Sequence, residues 1–346
     1  MTKPDTYPQF PGDCKSLLKK HLTPAVFEAL RNKTSKSGFK LQQVINSGVE
    51  NPDSSVGVYA GDDDCYGVFA ELFDPIIAEY HGFNKADRHI SNLSVENLDT
   101  PNPDPQGSYI ISTRIRVGRN LAGYPLAPAI SDEQREEIAL RVYQVLTNLG
   151  DSLGGTYYPL SGMSEQVRKQ LIADHFLFKA GDRFMQAGGL NRGWPEGRGI
   201  YHNEQKTFLV WVNEEDHLRI ISMQDGGDIE QVFRRLEKAL SAIAHKLEFM
   251  SDEHLGYIGS CPTNLGTAMR ASVHIRLPAL AKNMDKLNSI AATHELQIRG
   301  IHGEHSESPD AVFDISNRRR LGITEVECVQ GLHKGIVALI AAEQDD

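Results

Sequence analysis

Hydrophobic residues follow two different spacings along this chain, and the change of spacing divides it. Up to about residue 90, apolar positions recur three and four apart: Val26 and Leu30, then Leu41, Val44 and Ile45, then Phe69, Leu72, Phe73, Ile76 and Ile77. That period predicts helices with one buried stripe. Thr23 before Pro24 marks a helix start, because proline at the first helical position loses no donor that the helix needs. Residues 51–65 are rich in Asn, Pro, Ser, Gly and Asp and predict a turn-rich loop. In residues 91–107, Pro101, Pro103 and Pro105 alternate with polar residues, as in a semi-extended linker. The expected division is an all-helical part over 1–90, a linker over 91–107 and a larger part over 108–346.

Beyond the linker the period falls to two. Ile111, Thr113, Ile115 and Val117 alternate with Ser112, Arg114 and Arg116, which predicts a strand with one buried and one polar face. Residues 207–212, 218–223, 270–277 and 296–299 are further strand candidates. Two helices interrupt them. Ser131 and Gln134 form a capping box ahead of Ile138, Val142, Val145 and Leu149, with a stop at Gly150. Asp228 caps a second stripe of Ile229, Phe233, Leu236, Leu240, Ile243 and Leu247. Strands and helices do not alternate strictly. The expected class is therefore α+β, with a small all-α N-terminal domain and a mostly antiparallel sheet flanked by helices.

Composition changes this picture little. With 346 residues, 40% hydrophobic and 24% charged, the chain is ordinary for a globular protein. A net charge of −10 argues against a nucleic-acid-coating surface. The N-terminus shows no apolar signal stretch, and the apolar run over 336–342 is too short to span a bilayer. Four scattered cysteines without a CxxC pair fit reduced thiols in the cytoplasm.

Charge placement is more informative. Arg114, Arg116, Arg219, Arg270 and Arg299 fall in or beside strand candidates. A convergent set of guanidinium forks would grip a polyphosphate. No GxxxxGK[ST] or GxGxxG loop is present, so any nucleotide would be held by side chains. Asn213, Glu214, Glu215, Asp216 and His217 follow a strand, either as a solvated turn or as a receiver for a cationic substrate. Cys261 precedes a proline-initiated turn, Pro262 to Thr267 reading PTNLGT, and then a strand with cations on one face. That setting favours a partly ionised thiol over a buried one. His302, Glu304 and His305 are too few for a structural zinc, and Asp62, Asp63 and Asp64 read as a solvated acid run.

The stretches CPTNLGT at 261–267, FLVWVNEEDHLRIISMQ at 208–224 and GEH at 303–305 resemble the phosphagen (guanidino) kinases, nearest to the arginine-using members. The resemblance implies reversible transfer of the γ-phosphoryl of MgATP to a guanidino nitrogen. Free L-arginine is the first expectation, and taurocyamine or another guanidino compound the alternative. A protein-arginine kinase or a silent nucleotide sensor on the same fold are weaker alternatives. Ser55, His302 and the shortened stretch from Tyr80 to Phe83 depart from the arginine pattern.

Position by position, the resemblance implies a nucleotide site from Ser112, Thr113, Arg114, Ile115 and Arg116, joined by His175 and Arg219. Arg270, Ala271, Ser272, Val273 and His274 would extend it, with Arg299, Gly300, Ile301, His302, Gly303 and Glu304. The acceptor would meet Ser55, Val56, Gly57, Val58 and Tyr59, together with Glu215, Cys261 and Glu304. Glu215, Glu304, Cys261 and Arg270 would carry the chemistry, with Glu215 first to accept a proton. Magnesium would arrive with ATP, no metal would be bound by the protein alone, and the chain would be a monomer without nucleic-acid or membrane partners.

Overall fold

A computed structural model of the chain describes residues 6–96, 98–173, 176–300 and 309–345. Five helices come first: α1 Leu17–His21, α2 Pro24–Leu30, α3 Leu41–Glu50, α4 Cys65–Val68 and α5 Ala70–His81. Thr23 accepts from the Val26 N–H at 3.2 Å, with Pro24 in the first turn as its sequence requires. After residues 82–109, where the described residues hold no helix or strand, the elements are β1 Ile110–Arg119, α6 Asp132–Leu146, β2 Gly155–Pro159, α7 Glu165–Ala173, α8 Arg183–Ala187, β3 Gly199–Asn203, β4 Phe208–Val212, β5 Leu218–Asp225 and α9 Ile229–Ala244. There follow β6 Ser251–Asp252, β7 Gly256–Tyr257, β8 Met269–Arg276, α10 Met284–Thr293, β9 Leu296–Gly300, β10 Val312–Asn317 and α11 Glu325–Gln344.

Eight strands form one sheet in the order β2-β3-β4-β5-β1-β8-β10-β9, and every neighbouring pair is antiparallel. The expected class holds. One face is apolar: Ile115, Val117, Ile220, Val273 and Ile315 meet Phe233, Leu236 and Leu240 of α9 and Val329, Leu332 and Ile336 of α11. These are the residues that the two periods mark, packed where hydrophobic burial requires. The opposite face carries the arginines, beside a smaller apolar cluster of Ile200, Leu209, Trp211 and Ile221 with Leu177 and Phe178.

The helical N-terminal part does not close its own core. Leu18, Phe27, Leu41, Phe69, Leu72 and Phe73 pack in one cluster with Met250, Leu255, Ile258, Leu265 and Leu321 from the larger part. The two parts therefore share a core, and the turn after Cys261 is one of its walls.

Several expectations need correction. Ile111 does not join the buried face: a bulge between Ile110 and Ser112 turns it outward, and Ile110 is buried instead. α6 ends at Leu146 with Thr147 as cap, before Gly150. β2, β3 and β10 were not foreseen. Neither was the full length of α11, although Thr324 and Glu327 form a complete capping box at its start.

Candidate active site

Strand register gathers the arginines. Arg116 stands opposite Arg270, Arg114 opposite Ser272, and Ser112 opposite His274. His274 in turn faces Asp314, and Asp314 faces Arg299. On the other flank Arg219 pairs with Trp211, two positions from Ile221, the partner of Arg116. Directly opposed residues share a face, and so do residues two apart on one strand. All five arginines therefore stand on the polar side of the sheet. Thr113, Ile115, Ala271 and Val273 point the other way. Thr113 donates its hydroxyl to the Gly226 carbonyl at 2.8 Å, and the other three lie in the core. Their side chains do not reach the cleft.

These guanidinium groups are crowded. Burial first, then Arg270 and Arg219, push Arg114 down to about 10. Burial, then Arg219 and Arg114, hold Arg116 well below its usual range. The Nε and Nη2 of Arg114 have no hydrogen-bond partner among the described residues, and its guanidinium lies 5.2 Å from the Trp211 ring centre. Arg270 donates to Asp314 at 2.8 Å, but its Nε is unpartnered. Buried donors without acceptors are costly, and an anion bound among them would satisfy them. A cleft of about 420 Å³ opens over Arg114, Arg116, Trp211, Glu214 and Arg219.

The acid turn between β4 and β5 is not solvated, contrary to the bland reading of its sequence. The side chains of Glu214, Glu215 and Asp216 are 12%, 17% and 4% exposed, and all three meet Arg219, at 2.7, 2.8 and 3.3 Å. Burial opposes the charge on Arg219, yet the three carboxylates outweigh it and hold that guanidinium firmly cationic. Burial raises Glu214 and Asp216, since one cation cannot satisfy three anions. Gly118 is required beneath this turn, because a Cβ there would collide with the Asp216 carboxylate. His217 closes the turn: its Nδ1 accepts from the Leu121 N–H, and Nε2–H donates to the Pro125 carbonyl at 3.0 Å. Burial pushes it down to about 4, so it is neutral.

The CPTNLGT turn is explained residue by residue. Pro262 begins a short 3₁₀ turn, closed by the Asn264 N–H donating to the Cys261 carbonyl at 3.0 Å. Asn264 Nδ2 donates to Glu215 at 3.0 Å, while its Oδ1 accepts from Arg320. Leu265 is fully buried in the shared core. Gly266 has φ +83°, and a Cβ there would overlap the Arg320 carbonyl. The Thr267 N–H donates to the same carbonyl at 2.8 Å. From the N-terminal part, the Tyr66 hydroxyl donates to the Gly259 carbonyl at 2.7 Å, the Ala60 N–H to the Ser260 carbonyl at 2.7 Å, and the His81 Nε2–H to the Pro262 carbonyl at 2.8 Å.

Cys261 corrects a second expectation. It is half-buried, its sulfur 3.1 Å from the Thr263 hydroxyl. Burial first, then Glu215, push the thiol up to about 11, against weaker opposition from Thr263 and Arg320. Arg320 does not ionise it, because burial and the Glu215 carboxylate together outweigh that cation. Tyr59 belongs to the same corner: burial above all, then its neighbours Cys261 and Glu215, hold its hydroxyl protonated.

Residues 55–58 present their backbone. The carbonyls of Ser55, Val56 and Gly57 accept from Leu17, Leu18 and Gly48. The N–H groups of Ser55, Val56, Gly57 and Val58 have no acceptor among the described residues. Gly57 has φ +86° and packs against Gly48, where two backbones meet. Behind this loop Asp62 is fully buried, not solvated: it accepts from the Ser35 hydroxyl at 2.6 Å, from the Ser37 N–H at 3.0 Å and from the Cys65 N–H at 2.9 Å. Four amides without an acceptor among the described residues would suit a carboxylate or other small anion.

His175, Ile301, His302, Gly303, Glu304 and His305 lie outside the described residues, and Gly300 ends β9. Sequence reasoning missed Asp314, Asn264, Arg320 and Asn120. Asp314 stands between Phe313 and Ile315 in a period-two run, a signal that would have placed it on the polar face. The other three had no local signal.

Residues 137–346 match the C-terminal catalytic domain of the ATP:guanido phosphotransferases, and residues 12–78 match their N-terminal domain. The chain is 53% identical over 334 residues to the arginine kinase Lit v 2.0101 of Penaeus vannamei, covering 96% of this chain and 94% of the relative. It has the same identity and coverage with the arginine kinase Scy s 2 of Scylla serrata. Among solved structures, a lombricine kinase superposes with TM-score 0.92 at 39% identity, covering 99% of this chain and 96% of that one. The duplicated taurocyamine kinase from Schistosoma mansoni, with bound transition-state analogue components, gives 0.89 at 40% identity, over 95% of this chain and 46% of that one. A guanidinium-lined cleft beside a carboxylate corner is thus found in a chain that matches one family along nearly its whole length: this protein belongs to the ATP:guanido phosphotransferases, the phosphagen kinases.

Proposed function

We propose that this protein reversibly transfers the γ-phosphoryl group of MgATP to the guanidino group of free L-arginine, giving phosphoarginine and ADP. One observation carries the mechanism: the strand register that puts Arg114, Arg116, Arg219 and Arg270 on the same sheet face, with Glu214 and Arg219 lining the cleft above Arg114 and Arg116. Phosphoryl transfer demands little covalent chemistry from a protein. Alignment and charge neutralisation supply most of the effect. The arginines would bind the phosphate oxygens and the transferring group, while magnesium enters as part of the nucleotide substrate. Ser112, Ser272, His274 and Arg299 share the polar face. His175 and residues 300–304 are proposed, on family resemblance, to complete the nucleotide site.

Glu215 would receive the acceptor. Its two oxygens are fixed by Arg219 and Asn264, and the remaining lone pairs are placed to hold a planar guanidinium and take its proton. Cys261 would face the same group. An arriving guanidinium brings a positive charge that counters Glu215, so substrate itself would favour the thiolate. The amides of Ser55, Val56, Gly57 and Val58 would hold the substrate carboxylate, with Tyr59 behind them, and Glu304 would add a second carboxylate. Arginine is the acceptor supported by the 53% identity with arginine kinases over 96% of the chain.

A division at residues 91–107, a monomeric state and a cytoplasmic location complete the proposal. Four unpaired cysteines support the location, and a net charge of −10 argues against nucleic-acid partners. Among the described residues, no helix is long and apolar enough to cross a membrane. The test is ADP formation from MgATP with L-arginine, taurocyamine, lombricine and an arginine-rich protein supplied separately. L-Arginine should give the highest kcat/KM. Higher kcat/KM for another compound reassigns the acceptor, and silence with all four removes the proposed activity.

A further inference from the structure

Asn120 follows β1 directly and is 2% exposed. Its side chain reaches two segments that carry the proposed acceptor groups. Nδ2 donates to Asp216 Oδ1 at 3.0 Å and to the Ile258 carbonyl at 2.9 Å, and Oδ1 accepts from the His217 N–H at 2.9 Å. Its own carbonyl accepts from the Met250 N–H at 2.7 Å. Asp216 and Glu215 meet the same Arg219 Nη2, and Ile258 lies three residues before Cys261. Gly259 leaves no slack between them, since a Cβ there would lie 3.3 Å from Asp216 Oδ1 and 3.9 Å from Asn120 Nδ2.

Only one side-chain type suits this position. Two acceptors, one of them a buried carboxylate, need two N–H donors from one group, and an adjacent N–H needs an acceptor. Aspartate matches the shape but lacks the donors and adds charge beside Asp216. Serine offers one donor on a shorter arm. Neither catalysis nor substrate contact explains Asn120, and hydrogen bonds of this number are more than the end of a strand requires.

We infer that Asn120 is a positioning residue that sets the spacing between the Glu215 turn and the Cys261 turn, and so the geometry in which the guanidino acceptor is held. The inference rests on the assignment of Glu215 and Cys261 to the acceptor side. Its cause is local: with both donors lost, the acid turn and residues 258–261 are tied only through Asn264 and through their separate anchors.

The test uses the full chain with Asn120→Ala, which removes both donors without adding charge, and Asn120→Ser as a second variant that keeps one donor. Three quantities are read: kcat and KM with L-arginine and MgATP, MgADP affinity by calorimetry, and the pH dependence of Cys261 alkylation by iodoacetamide. The other three cysteines are buried, and mass spectrometry assigns the modified thiol. We expect kcat to fall about 100-fold, as for a small misplacement of reacting groups. MgADP affinity should fall far less than kcat, since only Arg219 of the arginine face is linked to Asn120, through Asp216. The alkylation midpoint should move down from about 11 as Glu215 and Cys261 separate, while burial keeps it above the ordinary thiol value of about 8.5. An unchanged alkylation profile in both variants overturns the inference whatever the activity. So does a parallel loss of MgADP affinity, which would mark a general structural lesion. Failure of the underlying assignment is distinguishable: Glu215→Gln would then retain turnover, while alkylation still reports the spacing.

Discussion

The two sides of the cleft are prepared in opposite ways. On the sheet face, guanidinium groups crowd one another, and Arg114 and Arg116 are depressed by burial and mutual repulsion. In the acid corner, Glu215, Asp216 and Asn264 are each tied by named hydrogen bonds, and Arg219 is held by three carboxylates. One side is electrostatically incomplete until an anion arrives, and the other is built beforehand. The difference follows from the reaction. Phosphate brings its own charge and can complete a cationic face on binding, whereas a proton acceptor must already be aimed when a guanidinium enters.

The largest effect tests the incomplete side. Arg270→Ala should lower kcat about 1,000-fold with folding intact, a loss typical of a transition-state contact. A coupled assay for ADP together with circular dichroism checks it, and near-normal turnover would remove Arg270 from the phosphate site. On the built side, Leu265→Ala should cost about 3 kcal/mol in urea unfolding, because it empties a core position shared by both parts of the chain. A loss confined to one of two separable transitions would show that the parts do not unfold together.

Acid should weaken the built side as well. Burial holds His81 and His217 down to about 4, against an ordinary value of 6.5. As pH falls, the unfolded chain takes these protons first, so stability present above pH 6.5 is lost on the way to pH 4. Each histidine accounts for about 2 kcal/mol between pH 7 and pH 5. Glu214 and Asp216, raised by burial, offset part of this by taking protons in the folded state. Urea midpoints at pH 7 and pH 5 measure the net loss, and His217→Gln should reduce it. Identical midpoints in the parent would contradict the assignment.

Arg114→Met gives the smallest shift and the sharpest contrast. Removing a buried, under-partnered charge should stabilise the ligand-free protein by about 1 kcal/mol. The same change should weaken MgADP binding. Destabilisation of the ligand-free protein would mean that Arg114 is satisfied without an anion.

Much of this was legible in the sequence, and the failures have physical causes. The alternation from Ser112 to Val117, the capping boxes and the change of period at residue 109 depend on neighbours in the chain, and each could be read. The pairing of Arg116 with Arg270 depends on register between strands some 150 residues apart, which composition does not encode. β3 and β10 are short and interrupted by polar residues. Asp62 read as solvated because the serines that bury it lie 25 and 27 residues upstream. Cys261 read as activated because sequence shows arginines nearby but neither the burial of the thiol nor the Glu215 carboxylate that acts on it. Asn120 carried no signal at all, since its partners come from two distant turns.

The central claim is that the arginine face and the acid corner open on one gap, a single phosphoryl group wide. A crystal structure with MgADP, nitrate and L-arginine measures that gap directly. The account predicts nitrate among Arg114, Arg116 and Arg270, with the arginine guanidinium beside it against Glu215 and Cys261. Nitrate and guanidinium in separate cavities would contradict it.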